Sequence, residues 1–223
     1  MSEQSKLFEK LLSEALQRGP DYSALVGPTL AQLHQPCSAL VMRPSAELVA
    51  KLAACTAQME IFFPGQLFYG RSNIHMTVSA LPKLVTGSQL HNHLGRSLAS
   101  HVGALKPLAM PVVGLGIIGS AIVFKAFDSE GQLGKLVRYL VADLEEEGFS
   151  MTGMAGFHTK IFWLTAARLL KPPSAELLDY VLQHSEQDFG LARFDAIDLV
   201  STDSLFSEMA TSVVKKYNLA DYF

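Results

Sequence analysis

Apolar and polar side chains alternate along residues 73–80, and this alternation constrains the fold more than any other feature of the chain. Alternation with a period of two residues is typical of a β-strand that has one buried and one open face. The apolar residues that would share the buried face are Ile74, Met76 and Val78. His75, Thr77 and Ser79 would then lie on the opposite face, so we predict a strand that presents an imidazole and a hydroxyl to one surface.

A second histidine occurs in a similar stretch at residues 157–164, and it follows His75 by 83 residues (158 − 75). The stretch contains His158-Thr159-Lys160 and continues with apolar, aromatic and β-branched residues, so it also predicts a strand. By strand parity, Lys160 would point the same way as His158. Two such strands at one cleft would give a two-histidine site.

The remaining periodicity predicts a mixture of helices and strands in two halves. The predicted helices span residues 2–18, 45–58, 87–105, 131–147 and 174–187. The further predicted strands span residues 37–42, 108–116, 117–127, 193–201 and 211–217. Each histidine strand follows a helix, and no flexible linker separates the halves. We therefore expect an N-terminal helical extension (1–36), a first lobe (37–106) and a second lobe (107–223), with the lobes packed as one domain.

Charge and composition exclude some classes of partner. The 223 residues carry a formal net charge of −3, whereas proteins that bind duplex DNA usually have a basic excess. A nucleotide or an RNA end in a small basic pocket stays compatible with this charge. The longest apolar run, residues 107–124, is interrupted by prolines and glycines, so we predict no membrane span. The sequence leaves the oligomeric state open.

The N-terminus and the cysteines indicate a reducing compartment. Acidic residues occur in the first twelve positions, where a signal peptide needs an apolar run, which predicts a cytoplasmic protein. Cys37 and Cys55 lack C-x-x-C spacing and are expected to be reduced thiols.

Two motifs that resemble cofactor or metal sites have simpler explanations. Residues 114–119 match G-x-G-x-x-G, but a dinucleotide loop must open a helix, and the residues that follow are typical of a strand. We therefore predict a hairpin turn there. His91 and His93 lie two positions apart on a predicted helix, where side chains point about 200° apart and cannot chelate one metal. With His101, they are expected to be surface histidines.

Three segments together resemble a known family. They are residues 68–78 (Phe-Tyr-Gly-Arg-Ser-Asn-Ile-His-Met-Thr-Val), the hairpin and helix ahead of residues 157–160, and the Ile-Asp-Leu-Val strand at 197–200. They resemble the 2H phosphoesterases, the superfamily of 2′-5′ RNA ligase-like proteins and cyclic nucleotide phosphodiesterases. The resemblance covers roughly residues 37–219. The family signature is a His-x-Thr/Ser motif on a strand of each of two pseudo-symmetric lobes.

The first motif matches at His75 and Thr77, whereas the second keeps His158 but has Lys160 where the hydroxyl belongs. The resemblance implies an α+β fold, bilobal, with two pseudo-symmetric antiparallel-sheet lobes and outer helices around a central cleft. It also implies that His75 and His158 are the catalytic acid and base, and that Thr77 and Lys160 bind phosphate. Because a cation near His158 disfavours its protonated form, we expect His158 to be the base and His75 the acid.

The implied activity is hydrolysis of a 2′,3′-cyclic phosphate or a 2′-5′ phosphodiester of a nucleotide or RNA end, without a metal or another cofactor. A bulge at Thr159 would instead bring that hydroxyl into the cleft. Tyr69, Arg71 and Arg168 are further candidates for contacts to phosphate or base. The alternative function is a non-catalytic nucleotide or RNA-end binding protein that kept a degenerate 2H cleft.

Overall fold

The computed structural model describes residues 2–19, 36–81, 88–102, 108–148 and 160–222. Its helices are α1 (Glu3–Arg18), α2 (Ala46–Phe62), α3 (Ser88–Val102), α4 (Gln132–Glu146) and α5 (Ala175–Gln183). Its strands are β1 (Cys37–Met42), β2 (Leu67–Phe68), β3 (Met76–Leu81), β4 (Leu108–Ile118), β5 (Ala121–Ala126), β6 (Phe162–Arg168), β7 (Asp188–Phe194), β8 (Ala196–Thr202) and β9 (Ser212–Asn218). A short 3-10 helix, Leu219–Tyr222, follows β9.

The strands form two antiparallel sheets, with the orders β3-β1-β8-β9 and β2-β6-β5-β4-β7. The predicted α+β architecture of two antiparallel sheets with outer helices is confirmed. Sheet membership does not follow chain order, because β8 and β9 join the sheet of β1, and β2 joins the sheet of β6. The two sheets therefore exchange strands across the boundary predicted at residues 106 and 107.

One face of each sheet packs into a common apolar core. Helices α3 and α4 bury one face each, because their leucines recur at helical spacing. The buried residues on these two faces include Leu90, Leu94, Leu98, Leu133, Leu136, Leu140 and Leu144. From the first sheet, Met76 and Val78 enter this core, and from the second, Phe124 and Leu164. Because paired strands alternate in step, the residues between these lie on the opposite sheet faces.

A second, small cluster lies on the other face of the first sheet. It consists of Ala39, Val41 and Val200, with Phe206 packed against it. Val41 pairs with Thr77 on one side and with Asp198 on the other. This face therefore carries Thr77 and Asp198 away from the main core.

Helix α2 ends four residues later than predicted and α5 four residues earlier, and three further differences concern the strands. The hairpin turns at Gly119 and Ser120, three residues later than predicted, because β4 continues to Ile118 and pairs there with Ala121. The predicted strand 193–201 is two strands, β7 and β8, which are separated by Asp195 and belong to different sheets.

The third difference concerns the second histidine stretch. Strand β6 begins only at Phe162, and Lys160 lies in an exposed turn before it. The prediction that Lys160 lies within this strand is therefore wrong. His158 and Thr159 lie outside the described residues.

The glycine motif is part of the hairpin, as predicted. Gly114 and Gly116 lie within β4, Gly119 lies at the turn, and a strand rather than a helix follows. Gly114 has φ +76°, and an added Cβ would lie 1.7 Å from the carbonyl oxygen of Ser185. Close backbone approach thus explains this glycine without a cofactor.

Two further predictions concern the cysteines and a membrane span. Cys37 and Cys55 are free thiols. None of the helices in the described part of the chain has the length and apolarity that crossing a bilayer requires.

The histidines of α3 were predicted to lie on the open surface, and this prediction is wrong. His91, His93 and His101 are all half-buried. Two of them face acidic residues, since His93 pairs with Glu147 and His101 with Asp143 of α4. These pairs lie between two helices, so the histidines contribute to helix packing.

Candidate functional site

His75 lies immediately before β3, rather than within a strand as predicted, and is held by a local hydrogen bond. Its Nδ1 lies 2.6 Å from the backbone carbonyl oxygen of Asn73. Since a carbonyl oxygen only accepts, Nδ1 carries the proton and donates it, and the lone pair of the neutral ring is on Nε2. The side-chain amide of Asn73 in turn donates to the carbonyl oxygen of Phe206 at 2.9 Å. The orientation and tautomer of His75 are therefore fixed by the backbone.

Two aromatic rings enclose this imidazole. The ring centroid of Phe206 lies 4.1 Å from that of His75 with an interplanar angle of 34°, and the ring of Tyr69 stacks at 6.5 Å. Only 4% of His75 is exposed. The ring is thus largely removed from bulk water.

The loop after β8 places Phe206 on the imidazole. Asp203 is fully buried, and its carboxylate accepts hydrogen bonds from the backbone amides of Leu205 (3.1 Å) and Ser207 (2.9 Å) and from the Ser207 hydroxyl. Phe206 has φ +51°, a left-handed conformation that is uncommon for an aromatic residue. Backbone strain of this kind persists where the surroundings fix it. Here Asp203 supplies the fixing contacts.

Burial determines the charge of His75. Desolvation lowers the pKa of this histidine from 6.5 to about 4; the hydrogen bond to Asn73 raises it, and the charges of Arg43 and Arg168 lower it further. The imidazole is therefore neutral at pH 7, which suits a base or a hydrogen-bond acceptor. This is the opposite of the role predicted for His75, which was that of the acid.

The two guanidinium groups come from different sheets. Arg43 follows β1, and its Nη1 donates to Asp198 Oδ2 at 2.5 Å. Arg168 ends β6 beside Tyr69; burial raises the pKa of the Tyr69 phenol, and the charge and hydrogen bonding of Arg168 oppose that rise. Two buried atoms, Arg168 Nε and Asp198 Oδ1, have no hydrogen-bond partner among the described residues. Unsatisfied buried donors and acceptors are costly, so they are typical of sites that take a ligand or water.

Thr77 is the hydroxyl on the open face of β3. Thr77 is half-buried and pairs with Val41. It follows His75 by two residues in the chain. Its hydroxyl has no hydrogen-bond partner among the described residues, so it is available to donate to a ligand.

Strand β6 repeats the register of β3. In the β1–β3 ladder, Leu40 pairs with Ser79 and then Val41 with Thr77, so one residue of β3 is skipped. In the β5–β6 ladder, the corresponding pairs are Ile122 with Ala167 and then Val123 with Thr165, with the same skip. In both ladders a helix lies between the two antiparallel strands, and the first half has the short β2 in addition. A one-residue skip also occurs in the β4–β7 and β8–β9 ladders, so the alignment of the two halves rests on the skip together with this order of elements.

This register makes Thr165 the counterpart of Thr77. The residue two positions earlier is His75 in the first half and Trp163 in the second. Trp163 pairs with Lys125, and the same alignment makes Arg43 the counterpart of Lys125. Thr165 was not predicted, because the pattern that identifies this family is a histidine two residues before a hydroxyl. The sequence has Trp-x-Thr at this place instead.

The other predicted residues fall into three groups. Tyr69 is buried beside His75, and its hydroxyl donates to the carbonyl oxygen of Leu205. Arg71 and Lys160 are exposed on turns, and no contact among the described residues joins either side chain to His75. The contacts predicted for Arg71 and Lys160 therefore stay predictions, as do those of His158 and Thr159.

Sequence reasoning did not find the site residues that distant parts of the chain contribute. These are Arg43, Asp198, Asp203, Phe206, Trp163 and Thr165. A separate cavity of about 720 Å³ lies between α3 and β9 and is lined by Arg96, Lys215 and Lys216 among others. His75 does not line it, so it is not part of this site.

Comparisons with known proteins identify the fold but no sequence relative. No protein-family profile matches the chain, and neither does any curated protein. TT0787 of Thermus thermophilus matches with a TM-score of 0.61 at 17% identity, over 82% of this chain and 97% of that one. A structure described as a phosphoesterase matches with a TM-score of 0.53 at 12% identity, over 82% and 98%. E. coli LigT complexed with 3′-AMP matches with a TM-score of 0.52 at 12% identity, over 82% and 98%.

These matches span nearly the whole length of the solved structures. The chain therefore has the fold of LigT and of this phosphoesterase, and the fold that the resemblance to the 2H phosphoesterases implies is confirmed. At these identities the likeness concerns the fold, and activity has to be argued from the site itself.

Proposed function

We propose that the protein binds the phosphate group of a nucleotide or RNA end at the site formed by His75, Thr77, Arg43 and Arg168. The observation that carries this proposal is a neutral, oriented imidazole that lies two residues before an available hydroxyl and near two guanidinium groups. Guanidinium and hydroxyl groups are the donors that phosphate oxygens prefer. In the structure of LigT complexed with 3′-AMP, a protein of this fold holds such a ligand.

The partner class follows from the site rather than from the whole surface. The net charge of −3 supplies no general attraction for polynucleotides. A local pair of cations beside a histidine instead suits one phosphate ester. We therefore propose a mononucleotide or a single RNA end as the ligand, without duplex DNA and without a cofactor.

Hydrolysis of a 2′,3′-cyclic phosphate is the second candidate function, and the neutral His75 favours it. Its Nε2 lone pair would take a proton from water, the water oxygen would bond to phosphorus, and one bond between phosphorus and a ribose oxygen would break. That oxygen needs a proton from an acid, and His158 is the residue proposed for this step. Thr77 would donate to a non-bridging oxygen on which charge grows. Each well-placed proton transfer contributes about 10²- to 10⁴-fold to the rate.

Isothermal titration with inorganic phosphate, 3′-AMP and 2′,3′-cyclic AMP in the presence of EDTA tests the binding proposal. Thr77→Val removes the hydroxyl at nearly constant volume and should weaken binding, whereas Thr77→Ser restores the hydroxyl and serves as the matched control. Hydrogen bonds to charged groups contribute about 1.5–3 kcal/mol, so a loss of roughly 10- to 100-fold in affinity is expected for the valine variant. Equal affinity of both variants would contradict the proposal.

Turnover distinguishes the two candidate functions. The protein is incubated with 2′,3′-cyclic AMP and EDTA, and the products 2′-AMP and 3′-AMP are measured. Hydrolysis that is lost in both His75→Asn and His158→Asn would establish the phosphoesterase. Binding that leaves the cyclic nucleotide intact would establish the binding protein.

A further inference from the structure

The geometry points to Trp163, Thr165 and Arg168 as the second half of the ligand site, with the indole of Trp163 in the place of a second imidazole. This inference rests on the proposed phosphate-binding function and deepens it. It makes the site one that holds a nucleotide phosphate ester without hydrolysing it.

The repeated register carries the assignment. Two strand ladders each skip one residue, Val78 in β3 and Ala166 in β6, and Thr77 and Thr165 immediately precede it. Both threonines alternate with residues of the common core, since Val78 and Leu164 pack there. Thr77 and Thr165 are therefore on the corresponding faces of their sheets, away from that core.

The two halves also meet at His75. Tyr69, whose ring stacks on His75, donates its backbone amide to the carbonyl oxygen of Ala166 in β6 at 2.9 Å. Arg168 at the end of β6 lies near enough for its charge to act on the His75 imidazole. Strand β6 thus reaches the same place as the start of β3.

Indole chemistry determines what this half does. An indole N–H donates a hydrogen bond but does not exchange its proton near neutral pH, so Trp163 cannot act as acid or base. The ring instead offers an aromatic surface on which a nucleobase stacks with a sequence-tolerant gain. The hydroxyl of Thr165 has no hydrogen-bond partner among the described residues and can donate to a phosphate oxygen, as Thr77 does in the other half.

The chain contains one tryptophan, so its fluorescence reports on this half alone. The intact protein is titrated with 2′,3′-cyclic AMP and, separately, with inorganic phosphate, and calorimetry is run in parallel. We expect a saturable change of emission with the cyclic nucleotide that is larger than with phosphate, and recovery of that nucleotide unhydrolysed.

Thr165→Val should weaken binding by about 10- to 100-fold, and Thr165→Ser should restore it. Ser100→Ala, which removes an exposed hydroxyl of α3 outside the site, is the control and should leave the affinity unchanged.

The possible results separate this inference from the proposed function. Calorimetric binding that depends on Thr77 but not on Thr165, with no change in emission, would overturn the inference and leave phosphate binding in place. Hydrolysis that requires His158 would overturn it in favour of the phosphoesterase. Absence of calorimetric binding to every probe would overturn both. Circular dichroism and thermal melting of Thr165→Val establish that the variant is folded, and if it is not, the emission response of Trp163 in the intact protein still decides the test.

Discussion

Replacing His75 by asparagine should remove a large part of the pH dependence of stability. In the folded protein the pKa of His75 is about 4, whereas an exposed histidine has a pKa of 6.5. The unfolded chain therefore binds a proton at a higher pH than the folded chain does. Stability consequently rises with pH between these two values, and the contribution is fully present above pH 6.5 and lost as the pH falls to about 4.

The magnitude follows from the two pKa values. The whole interval corresponds to about 3.4 kcal/mol, because one pKa unit corresponds to about 1.36 kcal/mol. Between pH 7 and pH 5, the part that is lost is about 2 kcal/mol. His75 is only 4% exposed, so solvent screening reduces this value little.

Urea unfolding at pH 7 and pH 5 measures this difference for wild type and for His75→Asn. The asparagine amide keeps a donor for the carbonyl oxygen of Asn73, so the local hydrogen bond is preserved. We expect the wild type to lose about 2 kcal/mol more than the variant between the two pH values. His184→Asn is the matched control, because His184 Nδ1 also bonds a backbone carbonyl oxygen, that of Tyr180 at 2.7 Å, but the residue is only half-buried.

Two results would refute the reasoning. If wild type and His75→Asn lose the same stability between pH 7 and pH 5, the imidazole is not held neutral by burial. If His184→Asn removes the pH dependence instead, the effect belongs to another histidine.

Three further predictions test the surroundings of the site. Phe206→Ala should raise the pKa of His75 from about 4 toward 6.5, because burial is the largest cause of its low value; an unchanged NMR titration of the imidazole would contradict this. Gly114→Ala should destabilise the protein by about 2–4 kcal/mol in urea unfolding, because its Cβ would lie 1.7 Å from a backbone carbonyl oxygen. Gly116→Ala, whose nearest new contact is at 3.5 Å, is the control and should cost about 1 kcal/mol or less. Trp163→His should convert the site to two imidazoles and give hydrolysis of 2′,3′-cyclic AMP above the wild-type rate; a folded variant without any gain would contradict the placement of residue 163 opposite His75.

Local patterns were sufficient to predict most of the elements. The alternation at residues 73–80 identified β3, and leucines at helical spacing identified α3 and α4, because side-chain burial imposes its period directly on the sequence. The glycines at 114–119 were interpreted correctly because the strand-forming residues after them are incompatible with a phosphate-binding helix. All of these predictions depend only on residues that are close together in the sequence.

The surroundings of His75 could not be predicted, because they depend on contacts between distant residues. Arg43 follows a strand without any distinctive motif, and its ion pair with Asp198 joins residues that are 155 positions apart. Phe206 reaches the imidazole through a left-handed backbone conformation, which aromatic residues rarely adopt. The low pKa of His75, and with it the change in its expected role, follows from this enclosure rather than from the motif.

The proposed second half of the site illustrates why the fold alone does not determine the activity. The ladder of β5 and β6 repeats the register of β1 and β3, including the skipped residue. If Trp163 takes the place of a second imidazole, as we propose, this half of the site cannot supply a proton, because an indole does not exchange its proton near neutral pH. A structural match at 17% identity concerns the fold and does not report on that side chain. Under this proposal the side chain at residue 163 decides between binding and hydrolysis, and the expected outcome is a ligand that binds there without reacting.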